Sequence, residues 1–239
     1  MILTRVHPGP IETVDPDAAA GRDRLLELYR AAPGSLRLNM VADVSGSAVG
    51  TDGTSESLTS RSDRKILGVI RELSDVVLVG AASVRAEGYQ LPRRSRLAIL
   101  TATGDLTGHR LSDDGARSVI VLCPPSAVSR VGETLPSAEV IPVPASGHRP
   151  QIADAIASLR AAGPSTIVCE GGPSVAGQLL GAGLIDELCV TTSPQVGGGS
   201  LDMFAGGATP TSLALRQLMV DDHGYVFARW STRATSATA

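Results

Sequence analysis

Hydrophobic residues recur along the chain with two periods, one typical of helices and the other typical of buried strands. Spacings of three and four residues predict helices over residues 18–30, 63–73, 152–162 and 175–182. Ser62 and Asp63 are the candidate caps of the second helix. Short β-branched runs predict strands at 36–44, 76–79, 97–100, 118–122, 166–169 and 187–192, with a short apolar stretch at 140–143. A last pair of strands is predicted at 213–220 and 225–230.

The order of these elements predicts the fold class. Strands that alternate with helices indicate an α/β protein with a mostly parallel central sheet, flanked by helices on both faces. The two C-terminal strands would form an antiparallel edge of that sheet. We expect one domain over residues 1–239, with an N-terminal extension at about 1–20 and a disordered tail at about 231–239. The segment 45–60, rich in glycine, serine and threonine, predicts a functional loop or lid.

Composition and charge limit the classes of partner that we expect for this protein. Charged residues make up 19% of the chain and the net charge is −3, so no electrostatic basis for nucleic-acid binding exists. No apolar run reaches membrane-spanning length and the N-terminus lacks a signal-peptide pattern, so we expect a cytoplasmic protein without a membrane partner. The three cysteines are widely spaced in apolar runs, which predicts reduced thiols. The four histidines show no metal-like spacing, and no metal is expected.

The segment Ile167–Ser174 carries the most chemical information, because an apolar strand ends there in Glu170, Gly171 and Gly172. Two glycines permit a turn that a Cβ would obstruct, and Pro173 suits the first turn of a helix. A strand, a glycine turn and a helix N-terminus together form a site for a phosphate or pyrophosphate. Glu170 would stand at the carboxyl end of the strand, where open α/β sheets bind ligands. For a Gly-Gly pair taken alone, an ordinary strand-to-helix turn is the alternative.

Two other strand ends carry candidate residues. Asp43 lies just before Gly46, where a carboxylate can donate a proton or accept a hydrogen bond from a substrate. The alternative is a turn aspartate that bonds local backbone groups. Gly80 ends the strand at 76–79, and the small residues after it, including Ala81 and Ser83, leave room for a flat ring or a sugar.

Arginines form a further candidate site near the start of the second helix. Arg61, Arg64 and Arg71 lie close enough along the chain to grip a substrate phosphate through bidentate hydrogen bonds. A charged helix face exposed to solvent explains the same residues equally well. Arg85 and Glu87, taken alone, indicate a solvated ion pair.

Three blocks of sequence together resemble one known family. They read NMVADVSG at 39–46, SRSDRKILGVIRELSDVVLVGAASVRAEGY at 60–89, and CEGGPSVAGQLLGAGLIDELCVTTSPQVGGG at 169–199. Over about residues 25–230 the chain resembles the C-terminal reductase domain of the bifunctional riboflavin-biosynthesis deaminase/reductase, within the dihydrofolate-reductase-like superfamily. The zinc-deaminase patterns H-x-E and C-x-x-C are absent from the sequence, so a stand-alone reductase is expected.

The resemblance implies a cofactor, a partner and a set of site residues. It implies NADPH, a small-molecule substrate and a homodimer. The pyrophosphate of NADPH would lie against Gly171, Gly172, Pro173, Ser174 and Val175. The nicotinamide–ribose half would lie against Gly80, Ala81 and Ser83, and the 2′-phosphate near Thr101 and Thr103, with Arg93, Arg94 and Arg96 as candidate charge partners. The ribosylaminopyrimidine substrate and its phosphate would face Arg71, Glu87 and Glu170.

One departure from the family pattern concerns the end of the first strand of the resemblance. The usual Ser-Leu-Asp-Gly is Asp43-Val44-Ser45-Gly46 here, so the acid has moved by two positions. Two residues along a strand keep the same face and change the position by about 7 Å. Asp43 is therefore the catalytic candidate, in a role similar to the buried carboxylate of dihydrofolate reductases.

The resulting hypothesis is an NADPH-dependent reductase of a pyrimidine-type substrate, similar to 5-amino-6-(5-phosphoribosylamino)uracil reductase of riboflavin biosynthesis. Hydride transfer would depend on positioning the two reacting carbons close together. Two alternatives remain open. One is a reductase of a pterin-like substrate such as dihydrofolate, and the other is a non-catalytic NADPH-binding paralogue in which the altered Asp43 and Ser45 mark lost chemistry.

Overall fold

Strands and helices alternate along most of the chain in the computed structural model, which describes residues 1–87, 89, 91–111, 119–206 and 210–232, without the side chain of Glu87. The strands are β1 (Leu3–His7), β2 (Glu12–Val14), β3 (Leu36–Asp43), β4 (Val76–Gly80), β5 (Arg96–Leu100), β6 (Val119–Cys123), β7 (Glu139–Pro142), β8 (Ala145–Ser146), β9 (Arg149–Pro150), β10 (Ile167–Cys169), β11 (Glu187–Ser193), β12 (Ala214–Asp221) and β13 (Val226–Ser231). The α-helices are α1 (Ala19–Leu28), α2 (Arg61–Glu72), α3 (Ala81–Glu87), α4 (Val128–Thr134), α5 (Ile152–Ala161) and α6 (Pro173–Gly181).

One sheet of eleven strands organises these elements. Its order is β2-β1-β12-β13-β11-β3-β10-β4-β5-β6-β7. Neighbouring strands from β11 to β7 run parallel. The strands β2, β1, β12 and β13 form an antiparallel edge that joins the parallel part at β11. The predicted fold class, a mostly parallel sheet with an antiparallel C-terminal edge, is confirmed.

Two hydrophobic layers cover the sheet. Alternate residues of a strand point to opposite faces, so each buried strand contributes to both layers. On one side, called here the α2 face, Val77 and Val168 pack with Ile70 of α2. On the other side, called here the α6 face, Leu78 packs with Leu179 of α6. Because both faces are buried, the central strands are continuous apolar runs.

The N-terminal residues differ from the prediction of an extension. Residues 3–7 and 12–14 form β1 and β2, and β1 pairs with β12. Leu3 is completely buried and Val14 nearly so, which explains why this segment stays on the sheet. Pro8 and Pro10 interrupt the apolar pattern between the two short strands, and the sequence prediction missed them for that reason. The predicted tail falls mostly on residues 233–239, outside the described residues, while β13 continues to Ser231.

Several local elements also differ from expectation. Helix α2 begins at Arg61 and is capped by Ser60, whose hydroxyl accepts a hydrogen bond from the Asp63 amide at 3.1 Å. The sequence prediction had placed the cap at Ser62 or Asp63. The short helices α3 and α4 and the hairpin β8–β9 were not predicted, because each is too short to show a hydrophobic period.

The glycine-rich segment after β3 is joined to the segment after β11. The amide of Val44 donates to the Gln195 carbonyl at 2.8 Å, and the amide of Ala48 donates to the Leu201 carbonyl at 2.8 Å. Ser47 and Asp202 form an antiparallel bridge. Residues 44–58 and 194–203, called here the loop pair, therefore close one end of the sheet together.

The Ser60 cap generates a stability prediction. Ser60→Ala removes the acceptor for the Asp63 amide, and we expect the free energy of unfolding to fall by about 1 kcal/mol. Urea denaturation measures this difference. Ser137→Ala, at an exposed turn, serves as the control and should change the value by less than about 0.5 kcal/mol. Equal losses in the two variants would contradict the capping role.

Candidate active site

The candidate site lies at the edge of the sheet where the parallel strands end. In register, Cys169 of β10 lies beside Leu38 of β3 and Leu78 of β4. The next residue, Glu170, donates its amide to the Leu78 carbonyl at 3.0 Å, so the pairing continues beyond β10. Residues that follow β10 and β4 are therefore neighbours, beside the second half of β3, at the position where open α/β sheets bind ligands.

The two glycines after Glu170 differ in backbone conformation and in the atoms around them. Gly171 has a φ of +92°, and a Cβ there would lie 2.8 Å from the Met40 Sδ. Gly172 has an extended backbone with a φ of −67°, and it caps α6. The peptide bond between them is cis. The left-handed conformation that excludes other residues is thus at Gly171, whereas at Gly172 a Cβ would press against the Ser83 side chain.

The start of α6 offers backbone donors at this turn. Pro173 occupies the first helical position and has no N–H group. Within the described chain, the amides of Gly172 and Ser174 have no hydrogen-bond acceptor. The Gly172 carbonyl accepts hydrogen bonds from Val175 and Ala176 instead. Free amides at a helix N-terminus are suited to bind a phosphate or pyrophosphate group.

The turn after β4 packs directly against the glycine turn. The Gly80 amide donates to the Gly171 carbonyl at 2.9 Å. A Cβ on Gly80 would lie 3.2 Å from the Val175 Cγ2, and one on Gly172 would lie 3.0 Å from the Ser83 Oγ. The structure thus brings Gly80, Ser83, Gly172 and Val175 together, as a shared ligand site requires.

The residues after β5 form a tight turn. The Thr101 hydroxyl accepts hydrogen bonds from the amides of Thr103 and Gly104 at 3.3 and 3.0 Å. Arg96 begins β5, at the opposite end of that strand, and forms an ion pair with Glu139. The suggestion that Arg93, Arg94 and Arg96 neutralise a phosphate near Thr101 is therefore wrong, because the strand separates them from this turn. Arginines nearer the turn are Arg85, which donates to the Asp105 carbonyl, and Arg130, which pairs with the Asp105 carboxylate.

Arg71 and Glu170, predicted to bind substrate, form a buried ion pair. The Arg71 Nε donates to one Glu170 carboxylate oxygen at 2.7 Å, and Nη2 donates to the other at 2.6 Å. The Tyr89 hydroxyl donates to Glu170 and also accepts a hydrogen bond from Arg71 at 2.8 Å. The Arg71 guanidinium lies 5.2 Å from the centre of the Tyr89 ring. The sequence prediction missed Tyr89, although it ends the motif AEGY that follows the strand.

Burial and neighbouring charges both shift the pKa values in this cluster. Burial lowers the pKa of Arg71, but its bonds to Glu170 outweigh that effect and the net shift is upward. Burial, followed by the charge of Glu170, raises the pKa of Tyr89 well above its ordinary value. Tyr89 is therefore a neutral hydrogen-bond donor beside a charged pair. Glu87 ends α3 two residues before Tyr89, and its side chain lies outside the described atoms.

Asp43 is held in a local network. One carboxylate oxygen accepts hydrogen bonds from the Ser45 hydroxyl at 2.6 Å and from the amides of Ser45 and Ser47 at 2.9 Å. The other faces the Gly198 amide at 3.4 Å. The Ser45 hydroxyl is the main cause that lowers the pKa of Asp43. An ionised carboxylate with these bonds cannot serve as a proton donor, so the geometry favours the turn role over the catalytic one.

Arg61 and Arg64 do not join Arg71. Arg61 pairs with Asp17 at 2.8 Å, and Arg64 pairs with Glu56. Both guanidinium groups are largely exposed. The three arginines therefore do not converge on one point.

A groove rich in cations opens beside Arg71. Its volume is about 530 Å³, and it lies between α2 and the segment before β5. Its charged lining residues are Arg22, Arg64, Lys65, Arg71, Glu72, Arg93 and Arg94. We call it the basic groove. Glu72 forms ion pairs with Arg22 and Arg94, which leaves the groove with an excess of positive charge.

Asp63 is a buried acid that the sequence prediction treated only as a helix cap. It is the third residue of α2, it is 6% exposed, and its carboxylate accepts a hydrogen bond from the Thr191 hydroxyl at 2.6 Å. Burial raises the pKa of Asp63 to about 6. No signal in one sequence separates such an acid from an exposed capping residue, because its partner lies 128 positions away.

Two negative findings apply to the described part of the chain. It contains no group of three or more acidic, histidine or cysteine side chains arranged to hold a metal ion. Helices of membrane-spanning length and hydrophobicity are likewise not found there.

The mostly parallel sheet with its antiparallel edge defines the fold class, and comparison with known proteins identifies the family. The model of the RibD C-terminal domain matches residues 35–227. The chain belongs to this family. No curated protein sequence matches it at a significant level.

Solved structures with the same fold include proteins from three organisms. A pyrimidine reductase-like protein from Corynebacterium diphtheriae has a TM-score of 0.71 and 24% identity, covering 84% of this chain and 92% of that one. A deaminase/reductase from Thermotoga maritima has a TM-score of 0.68 and 20% identity, covering 82% of this chain and 56% of that one. The riboflavin biosynthesis reductase Rib7 from Saccharomyces cerevisiae has a TM-score of 0.64 and 14% identity, covering 87% and 97%. They confirm the predicted fold class.

The buried ion pair generates a prediction on stability. Glu170→Gln leaves Arg71 charged and buried without its counterion, and we expect the free energy of unfolding to fall by about 1–3 kcal/mol. The control is Glu56→Gln, which breaks the exposed pair with Arg64 and should cost less than about 1 kcal/mol. Urea denaturation compares the two, and equal losses would argue against an energetic role for the buried pair.

Proposed function

We propose that this chain is an NADPH-dependent reductase of a phosphorylated aminopyrimidine, with 5-amino-6-(5-phosphoribosylamino)uracil as the expected substrate. The observation that carries the proposal is the contact between two turns: Gly80 and Ser83 lie against Gly172, next to the Arg71–Glu170 pair. A phosphate-binding helix start and a buried polar cluster at one edge of a sheet suit a cofactor and a small polar substrate. Membership of the RibD C-terminal family supports the proposal.

The residues at the glycine turn fit a dinucleotide. The amides of Gly172 and Ser174 would bind the pyrophosphate, and Pro173 and Val175 would line its path. Gly80, Ala81 and Ser83 would hold the nicotinamide–ribose half, since Gly80 offers backbone without a side chain in the way. Thr101 and Thr103 would lie near the adenosine 2′-phosphate. When bound, NADPH supplies the hydride.

The substrate would lie across the polar cluster with its phosphate in the basic groove. Arg64, Lys65 and Arg94 line that groove and are suited to a phosphate dianion. Tyr89 and the Arg71–Glu170 pair would contact the polar ring, and Glu87 stays a proposed contact. The positive charge of the groove suits the phosphate of a phosphorylated pyrimidine.

The reaction is hydride addition to C1′ of the ring-opened ribosylamine, present as an imine. The C=N bond becomes a C–N single bond, hydride adds to the carbon and a proton adds to the nitrogen, which gives a ribitylamine. The chain's part is to hold the two carbons close together and to exclude competing water. Because Asp43 is ionised and fully bonded, we assign proton delivery to water or a different group.

Two further properties complete the proposal. We expect a homodimer with two-fold symmetry, the usual assembly of enzymes of this size. We also expect a cytoplasmic location, which agrees with the three buried cysteines that remain free thiols.

Turnover tests the proposed function. Purified protein should oxidise NADPH in the presence of 5-amino-6-(5-phosphoribosylamino)uracil, and dihydrofolate should give no comparable rate. NADPH should bind more tightly than NADH by about 1.5–3 kcal/mol, because a charged hydrogen bond to the 2′-phosphate is lost. Absorbance at the nicotinamide band and fluorescence titration measure the two quantities. NADPH binding without turnover of either substrate would indicate a non-catalytic protein and contradict the proposal.

The glycine turn generates a second test. Gly172→Val keeps an allowed backbone conformation, but its side chain would fill the space where the pyrophosphate is expected. We expect NADPH affinity to fall by more than about tenfold, with folding retained. Fluorescence titration and circular dichroism check both.

Two control variants distinguish the cofactor site from its surroundings. Gly171→Ala forces a Cβ against Met40 at a positive φ, and should lower folding stability first. Glu170→Gln should spare NADPH affinity and weaken substrate binding. Parental NADPH affinity in Gly172→Val would mean that the pyrophosphate lies elsewhere.

A further inference from the structure

Asp63 is a buried acid in the first turn of α2 that forms no ion pair with any described residue. Its amide is already used by the Ser60 cap, and one carboxylate oxygen, Oδ1, accepts the Thr191 hydroxyl at 2.6 Å. Among the described residues, Oδ2 has no hydrogen-bond partner, and no cation lies within ion-pair distance of the carboxylate. Burying a carboxylate without a counterion is costly, and a neutral residue would avoid that cost. Such groups concentrate at functional sites.

The position of Asp63 joins it to the cleft already described. Thr191 lies beside Val41 in the register of β11 and β3. Glu170 follows Cys169, which pairs with Leu38, so Glu170 lies next to Asn39 on the other side of β3. Cys189 and Val168, each two residues before these side chains, both belong to the layer on the α2 face. Thr191 and Glu170 therefore share that face, two strands and two residues apart, which is about 12 Å.

Helix α2 carries two residues of this region, one near each of its ends. Asp63 lies in its first turn, and Arg71 follows eight residues later, about 12 Å along the axis. Both side chains are directed to the sheet, since Asp63 reaches Thr191 and Arg71 reaches Glu170. The helix thus carries Asp63 on the side that faces the sheet, and it also carries Arg64, Lys65 and Arg71, which line the basic groove.

We propose that Asp63 is a substrate-binding carboxylate, in which Thr191 fixes one oxygen and the other accepts a hydrogen bond from an N–H group of the substrate's pyrimidine. This inference rests on the proposed function and names a contact beyond the Arg71–Glu170–Tyr89 cluster. An aminopyrimidine carries N–H donors on its ring and amino groups, which is the chemistry a carboxylate recognises. Its phosphate would then extend toward Arg64, Lys65 and Arg94.

Protonation of Asp63 controls this contact. Burial raises its pKa, the Thr191 bond opposes that shift, and the surrounding charges are Arg64 on the same helix, Glu170 at the end of β10 and Glu56 before α2. The carboxylate is an acceptor above about pH 6 and loses that capacity below it. Substrate affinity should therefore fall as the pH drops through this value. Folding stability should change in the opposite direction, because the folded protein binds the proton more tightly than the unfolded chain.

Asp63→Asn tests the contact with little change of shape. At about pH 8 we expect KM for 5-amino-6-(5-phosphoribosylamino)uracil to rise about tenfold or more, with NADPH affinity unchanged. The dependence of substrate affinity on pH near 6 should disappear. The variant should be at least as stable as the parent at neutral pH, which a merely structural acid would not allow. Asp23→Asn, at an exposed position of α1, is the matched control and should change none of these quantities.

Thr191→Val provides a second variant. It removes the bond that holds the pKa of Asp63 down, so the midpoint of the pH profile should move upward. Wild-type turnover combined with unchanged KM and pH profile in Asp63→Asn would overturn this inference and leave the proposed function standing. Failure of the wild-type protein to bind the substrate at any pH would overturn the proposed function and this inference together.

Discussion

The candidate site depends on the hydrogen bond between the Gly80 amide and the Gly171 carbonyl. It extends the pairing of β4 with β10 two residues past the end of the shorter strand, and it joins the turn that leads into α6 to the turn that leads into α3. A Cβ at Gly80 would lie 3.2 Å from the Val175 Cγ2, and Gly171 has a φ of +92°, so glycine suits both positions. The proposed cofactor site therefore depends on two strand ends held in register.

Much of the fold could be predicted, and the reason is periodicity. The strands β4, β5 and β10 are short apolar runs bounded by turn residues, and the apolar residues of α2 and α5 recur at helical spacing. The elements that the prediction missed are those without a clear hydrophobic period. Strands β1 and β2 are short and separated by prolines, and α3 has only seven residues, which lead directly out of β4.

The parts of the site that follow from local sequence could be predicted. The Glu-Gly-Gly turn, Gly80 and Ser83 are brought together as expected, because their positions follow from strand ends in a parallel sheet. Long-range partners were not predictable. Tyr89 joins Glu170 across 81 positions and Asp63 joins Thr191 across 128, and one sequence holds no record of either contact. Asp43 shows the converse, since its local hydrogen bonds follow the commoner pattern of a turn aspartate.

The two borders of the sheet bear on how the protein avoids aggregation. A border strand exposes backbone donors and acceptors to which another chain can attach, and proteins limit this with short strands, prolines and charges. Here one border is β2, with three residues, and the other is β7, with four residues that begin at Glu139 and end at Pro142. The eight-residue β12 lies inside, covered by β1. The first fourteen residues contain none of the candidate site residues. They cover the long strand β12 and so limit the addition of another chain to the sheet.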